Sequence, residues 1–270
     1  PSLKLKTRSV YEPQLKWWLS HLGDIVLAEI TPGEIARIRD KLIQKGIKPS
    51  SANRYVSALS SAFTMAVREF GWAESNPCSK VRKLPESRGR TRFLTEDERA
   101  ALLDACEKSR ARELHIIVVL ALSTGARKNE LRWLRWSDVD LHQGTLLFRE
   151  TKNGSIRSVP IQRLAFDLLK EWGKVRLLDT DLVFPGRNPK HPVLFEKSWR
   201  KVLVTAGIKD FRFHDLRHSA ASYLVMNGVN LRAVSEILGH KTLNMVQRYS
   251  HLSPEHLRSE MARTMEAVNL

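Results

Sequence analysis

The sequence predicts a mainly α-helical protein with a small antiparallel β-sheet, built as an N-terminal helical bundle followed by a larger α+β unit. Three observations carry this expectation. Apolar residues recur at helical spacing through most of the 270 residues. That rhythm changes after about residue 140, where Asp140-Leu141, Thr145 to Phe148 and Ile156 to Val159 read as short strands and Asn153-Gly154 is a hairpin-turn signal. From Lys83 to Arg92 it stops altogether, in a run of proline, glycine and basic residues that reads as an exposed linker.

Each element has a local reason. Trp17, Trp18, Leu19 and Leu22 form an apolar stretch that Gly23 ends. Thr31-Pro32-Gly33-Glu34 offers an N-cap, a first-turn proline and a capping-box glutamate to a helix carrying Ile35, Ile38 and Leu42, closed by Gly46. Ser50 or Ser51 starts a longer helix with Tyr55, Leu59, Phe63 and Ala66 on one stripe, while Asn53, Arg54 and Arg68 lie off it. Thr95-x-x-Glu98 is a second capping box. Helices are expected to about Cys106 and from Ala111 to Leu122, and after the strands near 164–174, 195–205, 214–226, 231–238, 243–250 and 254–267. The expected divisions are a bundle over 1–84, a basic linker over 85–92, the main unit over 93–252 and a closing helix within 253–270. The linker fits a strand lying along a nucleic-acid backbone and fits a solvated hinge equally.

Composition narrows the function. The chain is 42% hydrophobic and 27% charged, as a globular protein is, and has no apolar run of about 18 residues to make a membrane span. Cys78 and Cys106 have no metal-site spacing, so two reduced thiols of an intracellular, cytoplasmic protein are expected. Forty-five basic against 29 acidic residues give +16, a field that attracts polyanions, with nucleic acid the commonest partner. Residues 1–90 carry 16 basic and 8 acidic side chains, and residues 91–270 carry 29 and 21, so both parts share the excess.

Four separated segments hold side chains suited to phosphate chemistry. In Ser123-Thr124-Gly125-Ala126-Arg127, a glycine-containing break delivers an arginine to a helix start, where a planar fork of donors and free N–H groups suit one phosphate. Lys152 belongs to the hairpin tip Thr151-Lys152-Asn153-Gly154. In His214-Asp215-Leu216-Arg217-His218, His214 and Arg217 share a helical face. His214 and His218 also have a metal-site spacing, but neither an HExxH pattern nor an evident third ligand accompanies them, so no metal is expected. Finally Leu238-Gly239-His240-Lys241 reads as a helix end, Thr242 as the cap of the next helix, and Tyr249 follows in Arg248-Tyr249-Ser250-His251. Taken singly, each of these has an ordinary structural reading.

In this order, the segments resemble the tyrosine recombinase (phage integrase) family. The resemblance rests on T-G-A-R-x-x-E-L-x-x-L-x-W-x-D-V-D, T-K-N-G, H-D-L-R-H-S-A-A-S, L-G-H-K and R-Y-S-H, covers about residues 93–255, and lacks no signature position. It implies a catalytic domain of integrase type over 93–252, and for 1–84 a SAM-like, core-binding DNA-binding domain. It also implies six catalytic residues, Arg127, Lys152, His214, Arg217, His240 and Tyr249, with no cofactor and no metal. Arg127 and Arg217 would hold the non-bridging oxygens of a DNA phosphate, and His240 would add a hydrogen bond. Tyr249 would attack, with His214 as base and Lys152 as acid for the leaving 5′-oxygen, giving a 3′-phosphotyrosine. Double-stranded DNA and a homotetramer on it, with a four-way junction between two rounds of exchange, are the implied partners and course. There is room for accessory DNA-bending proteins and for residence on the nucleoid. Glu130, His218 and His251 read as supporting residues. The helix after Tyr249, with Leu257, Met261 and Met265 on one stripe, fits docking on a neighbouring protomer and packing on its own domain equally. A type IB topoisomerase shares the phosphotyrosine chemistry, and a DNA-binding architectural protein that does not cut is the alternative from another class.

Overall fold

The computed structural model describes residues 5–87, 90–149, 156–161, 163–240, 242–252, 261, 262 and 265, the first four of these by backbone alone. Lys152, the Asn153-Gly154 hairpin tip and almost all of the closing helix lie outside the described residues. The chain divides into two units, Pro1–Gly89 and Arg90–Leu270.

The first unit is a three-helix bundle of α1 (Leu5–Leu22), α2 (Pro32–Gln44) and α3 (Pro49–Arg68), closed by a 3-10 turn at Pro77–Lys80. Thr31 caps α2 by accepting from the Glu34 amide at 3.2 Å, with Pro32 in the first turn. Trp18, Leu22, Ile35, Ile38, Leu59 and Phe63 make the core, and the Trp18 indole N–H donates to the Tyr55 carbonyl at 2.8 Å. Asn53 departs from the expectation of a polar outer face. It is buried, accepts from the Leu84 amide at 2.9 Å and donates to the Leu84 carbonyl at 2.9 Å and to Glu86 at 2.8 Å. An amide side chain presents a donor and an acceptor together, which matches the free backbone of an extended strand. The segment after residue 80 is thereby fixed to α3 as far as Glu86.

The second unit is organised on α5 (Arg112–Thr124), whose residues from Ile116 to Ala121 are all buried. Against it pack α4 (Glu96–Glu107), α7 (Leu164–Gly173) and α9 (Asp215–Met226). The Thr95–Glu98 capping box forms in both directions. The sheet is antiparallel in the order β1 (Val139–Asp140), β2 (Thr145–Phe148), β3 (Arg157–Pro160), with Leu146 opposite Val159 and Phe148 opposite Arg157. Leu146, Phe148, Arg157 and Val159 face inward, so a strand of period two places a cation on the buried face. Short α6 (Lys128–Arg132), α8 (Glu196–Thr205) and α10 (Leu231–Leu238) complete the unit.

The stretch expected as one helix over 243–250 is instead two 3-10 segments, Leu243–Met245 and Gln247–Leu252, and the Thr242 side chain caps neither. The amides of Met245, Val246 and Tyr249 each bond to the carbonyl three residues back. At three residues per turn Val246 and Tyr249 fall above one another, and both are buried against Ala221, Val225, Val234 and Leu238.

Candidate active site

Two helix ends build the site. α5 stops at Gly125 (φ 61°) and α10 stops at Gly239 (φ 64°), each a left-handed C-cap that leaves the last carbonyls of its helix free. A Cβ on Gly125 would lie 2.2 Å from the Leu238 side chain, and one on Gly239 would lie 2.8 Å from Arg157 Nη1. Only glycine meets both requirements at either position.

Arg217, in the first turn of α9, spans the two ends. Its Nη1 donates to the Gly125 carbonyl at 2.8 Å and its Nη2 to the Leu238 carbonyl at 2.7 Å. Helix C-termini carry partial negative charge, which favours a cation there. Arg127, at the N-cap of α6, donates from Nη2 to the Gly239 carbonyl at 3.2 Å, so adjacent carbonyls hold the two arginines side by side. Glu130 ties the group together. It accepts from the Arg127 amide at 2.8 Å, from Arg127 Nη1 at 2.7 Å, and from Arg157 Nη1 and Nη2 at 3.1 and 2.8 Å. The guanidinium of Arg157 also sits 4.6 Å from the centre of the Phe148 ring.

The balance is cationic. Burial, then the repulsion of Arg127 and Arg157, pulls Arg217 down to about 9 despite Glu130. Burial, then the fields of Arg217, Arg127, Arg248 and Arg157, takes His240 down to about 3. The Nδ1 of His240 is buried with no hydrogen-bond partner among the described residues. A groove of about 560 Å³ between β3 and α10 has Arg157, Gly239 and His240 in its wall. Clustered buried cations beside an unpaired polar atom fit an anion.

The Tyr249 hydroxyl hydrogen-bonds to Nδ1 of His218, and both residues are buried. Burial raises the phenol above its ordinary value, with Arg248 and Arg217 acting in the other direction. His214, at the head of α9, is exposed, and its ring centre is 5.3 Å from that of His218. Of the six residues named from sequence, Arg127, Arg217 and His240 therefore meet at the two glycine-ended helices. Tyr249 lies within the field of Arg217, His214 stands at the rim, and Lys152 lies outside the described residues. Glu130 does what was expected of it, bonding an N–H and two cations. His251, read as a supporting residue, stands exposed.

Sequence reasoning missed Arg157 and the contact of His218 with Tyr249. For Arg157 a signal existed: two residues before the apolar Val159, it holds the inward position of a half-buried strand. For His218 none did, because the 3-10 geometry that brings Tyr249 to it cannot be read from apolar spacing.

The phage integrase family model matches residues 92–256, and the model of the phage integrase N-terminal domain matches residues 2–85. The chain is 34% identical over 241 residues to a shufflon-specific DNA recombinase of Escherichia coli, covering 86% of this chain and 61% of that protein, less than two thirds of its length. It is 34% identical over 260 residues to the integrase of Haemophilus phage HP1, covering 91% and 71%. Among solved structures, a lambda integrase dimer bound to a COC′ core site superposes with a TM-score of 0.74 at 25% identity, covering 92% of this chain and 89% of that one. The Tn1549 transposon integrase in complex with a circular intermediate DNA has the same fold, with a TM-score of 0.79 at 18% identity over 97% and 95% of the two chains.

Proposed function

The chain belongs to the phage integrase family of tyrosine recombinases, and from that premise we propose that it is a site-specific DNA recombinase that cuts and rejoins strands through Tyr249. The observation that carries the proposal is the pairing of Arg127 and Arg217 on the adjacent carbonyls of Gly239 and Leu238, beside the unpaired Nδ1 of His240. A guanidinium has five N–H donors, and Arg217 commits only two to those carbonyls. Among the described residues the other three have no partner, and they suit the non-bridging oxygens of one backbone phosphate.

A phosphodiester resists attack because its charge repels nucleophiles and its alkoxide leaves poorly. Fixed cations aimed at the non-bridging oxygens take up the charge that grows there. In the proposed step the Tyr249 oxygen bonds to phosphorus as the bond to the 5′-oxygen breaks. Lys152 protonates the departing oxygen, and the product is a 3′-phosphotyrosyl enzyme with a free 5′-hydroxyl. The ester conserves the energy of the broken bond, so a 5′-hydroxyl from a partner duplex reverses the step without an external energy source. Two such rounds through a Holliday junction exchange both strands. A tetramer of the lambda integrase has been solved on a Holliday junction, at a TM-score of 0.71 and 26% identity, which supports the same assembly here.

The test is a duplex nicked next to the scissile phosphate, so that the freed end is lost and the covalent intermediate accumulates. A denaturation-resistant protein–DNA adduct is expected with the intact chain and none with Tyr249→Phe, since phenylalanine keeps the ring and removes the nucleophile. An adduct formed equally by the phenylalanine variant, or binding with no adduct from the intact chain, would falsify the proposal.

A further inference from the structure

We propose that His218, and not His214, takes the proton from the Tyr249 hydroxyl as it attacks DNA, a proposal that rests on the recombinase reading above.

The geometry argues this first. Among the described residues the hydrogen-bond partner of the phenol is His218 Nδ1. His218 lies one turn beyond His214 on α9, is buried, and meets Tyr249 where the 3-10 segment stacks it on Val246. His214 is exposed, and its ring stands edge-on to that of His218.

The charge environment supplies the second argument. The groups acting on His218 are His214, Asp215 and Arg217 on its own helix and Arg248 on the facing 3-10 segment. Burial, then the field of His214, lowers its imidazole to about 4, so it stands neutral and ready to accept at any pH near 7. Such an imidazole is too weak a base to ionise a resting phenol. Its task comes later. As the oxygen–phosphorus bond forms, the phenolic oxygen becomes strongly acidic, and the incoming phosphate places negative charge where the imidazole gains positive charge. Transfer is then downhill when it is needed, and the nucleophile is not held as a phenolate in the empty site.

The step balances. The Tyr249 O–H proton moves to His218 Nδ1, the oxygen–phosphorus bond forms, and the phosphorus–5′-oxygen bond breaks with its own proton from Lys152. On rejoining, the 5′-hydroxyl attacks and returns its proton to Lys152, the phosphorus–Tyr249 oxygen bond breaks, and the departing Tyr249 oxygen recovers its proton from His218.

The experiment measures single-turnover adduct formation on the nicked duplex, with oxygen and with sulfur at the leaving 5′ position. A thiolate leaves without a proton, so sulfur rescues loss of an acid but not loss of a base. Asparagine is the informative replacement, because its carbonyl occupies the place of Nδ1 and accepts a hydrogen bond but not a proton. His218→Asn is expected to bind DNA within a few-fold of the parent and to form adduct about 10²- to 10⁴-fold more slowly on both substrates, the range for loss of a general base. His214→Asn is expected to lose less. The unmodified protein gives an independent reading. Between pH 6 and 8 its rate is expected to be flat, because the base is already neutral and Arg217 is still charged. A tenfold rise per pH unit would mean that hydroxide in solution takes the proton. That rise, full activity of His218→Asn, a faster His218→Asn that marks a latch, or recovery of His218→Asn on the sulfur substrate would each overturn the assignment. Failure of the recombinase reading itself is separate, because it shows in the intact chain and in Tyr249→Phe before any histidine is changed.

Discussion

At the scale of single residues, the site depends on Glu130 as much as on the arginines it holds. Burial pushes its carboxyl up, but the hydrogen bonds and charge of Arg157, with the bonds from Arg127, hold it below its ordinary value of 4.5. The Arg157 side chain is 7% exposed and that of Glu130 5%, so neither has water to fall back on. Removing one member of a buried pair typically costs about 3–5 kcal/mol, because the other is left uncompensated. Glu130→Gln is therefore expected to lower stability in urea unfolding by about that amount and to slow adduct formation as Arg127 loses its anchor. The sign with pH follows from the depressed carboxyl. Its contribution is complete above 4.5 and is lost as pH falls through the lower folded value, a limb that Glu130→Gln should lack. A Glu130→Gln protein with unchanged stability would show that the pair is dispensable. Arg127, Arg217, His240 and Tyr249 are named because their segments, taken together and in order, resemble the family; taken singly, each has an ordinary structural reading. Arg157 was legible in principle from its inward place in a half-buried strand, two residues before Val159, whereas the contact of His218 with Tyr249 was not, since it depends on which helix turn meets a distant segment.

At the scale of elements, helix termini do most of the positioning. Gly125 ends α5 in the left-handed region, and a Cβ there would lie 2.2 Å from the tip of the Leu238 side chain, which would have to move. Gly125→Ala combines a left-handed penalty of about 1–2 kcal/mol with overpacking of about 1–3 kcal/mol, so a loss of about 2–5 kcal/mol is expected by chemical denaturation. It should also displace the carbonyl that Arg217 grips, and adduct formation should fall by more than the unfolded fraction accounts for. An alanine variant as active as the parent per folded molecule would separate the helix end from the chemistry. Thr95→Ala, which removes a capping-box side chain far along the chain from this site, should cost about 1 kcal/mol without that excess loss of activity. The capping signals at Thr31, Thr95 and Gly239 were readable from sequence because they act within one turn. The 243–250 stretch was misread as a helix for the opposite reason. Its residues suit either winding, and burial of Val246 and Tyr249 together against α9 and α10 selects the 3-10 form.

At the scale of the whole molecule, a basic excess in both parts was legible in composition, while the division between them showed as the break in apolar rhythm from Lys83 to Arg92. Each unit has its own apolar core, one centred on Trp18, Ile35 and Phe63 and the other on α5. Each can thus be prepared separately as 1–89 and 90–270. If both touch DNA phosphates, each releases counterions, and the logarithm of affinity falls linearly with the logarithm of salt by an amount set by the contacts made. The salt slope of the intact chain, measured by fluorescence anisotropy on one duplex, should then approach the sum of the two separate slopes. Its affinity should exceed either alone, because binding of the first unit raises the local concentration of the second. With about 6–10 contacts in total, affinity would drop about 10³- to 10⁵-fold between 50 and 200 mM salt. Adduct formation should persist in 90–270 alone, at reduced efficiency, because Arg127, Arg217, His240 and Tyr249 all lie within it. An intact chain whose slope equals that of 90–270 would mean that the N-terminal bundle makes no phosphate contacts. Its basic residues would then serve solubility, and selection of a DNA site would rest with the second unit.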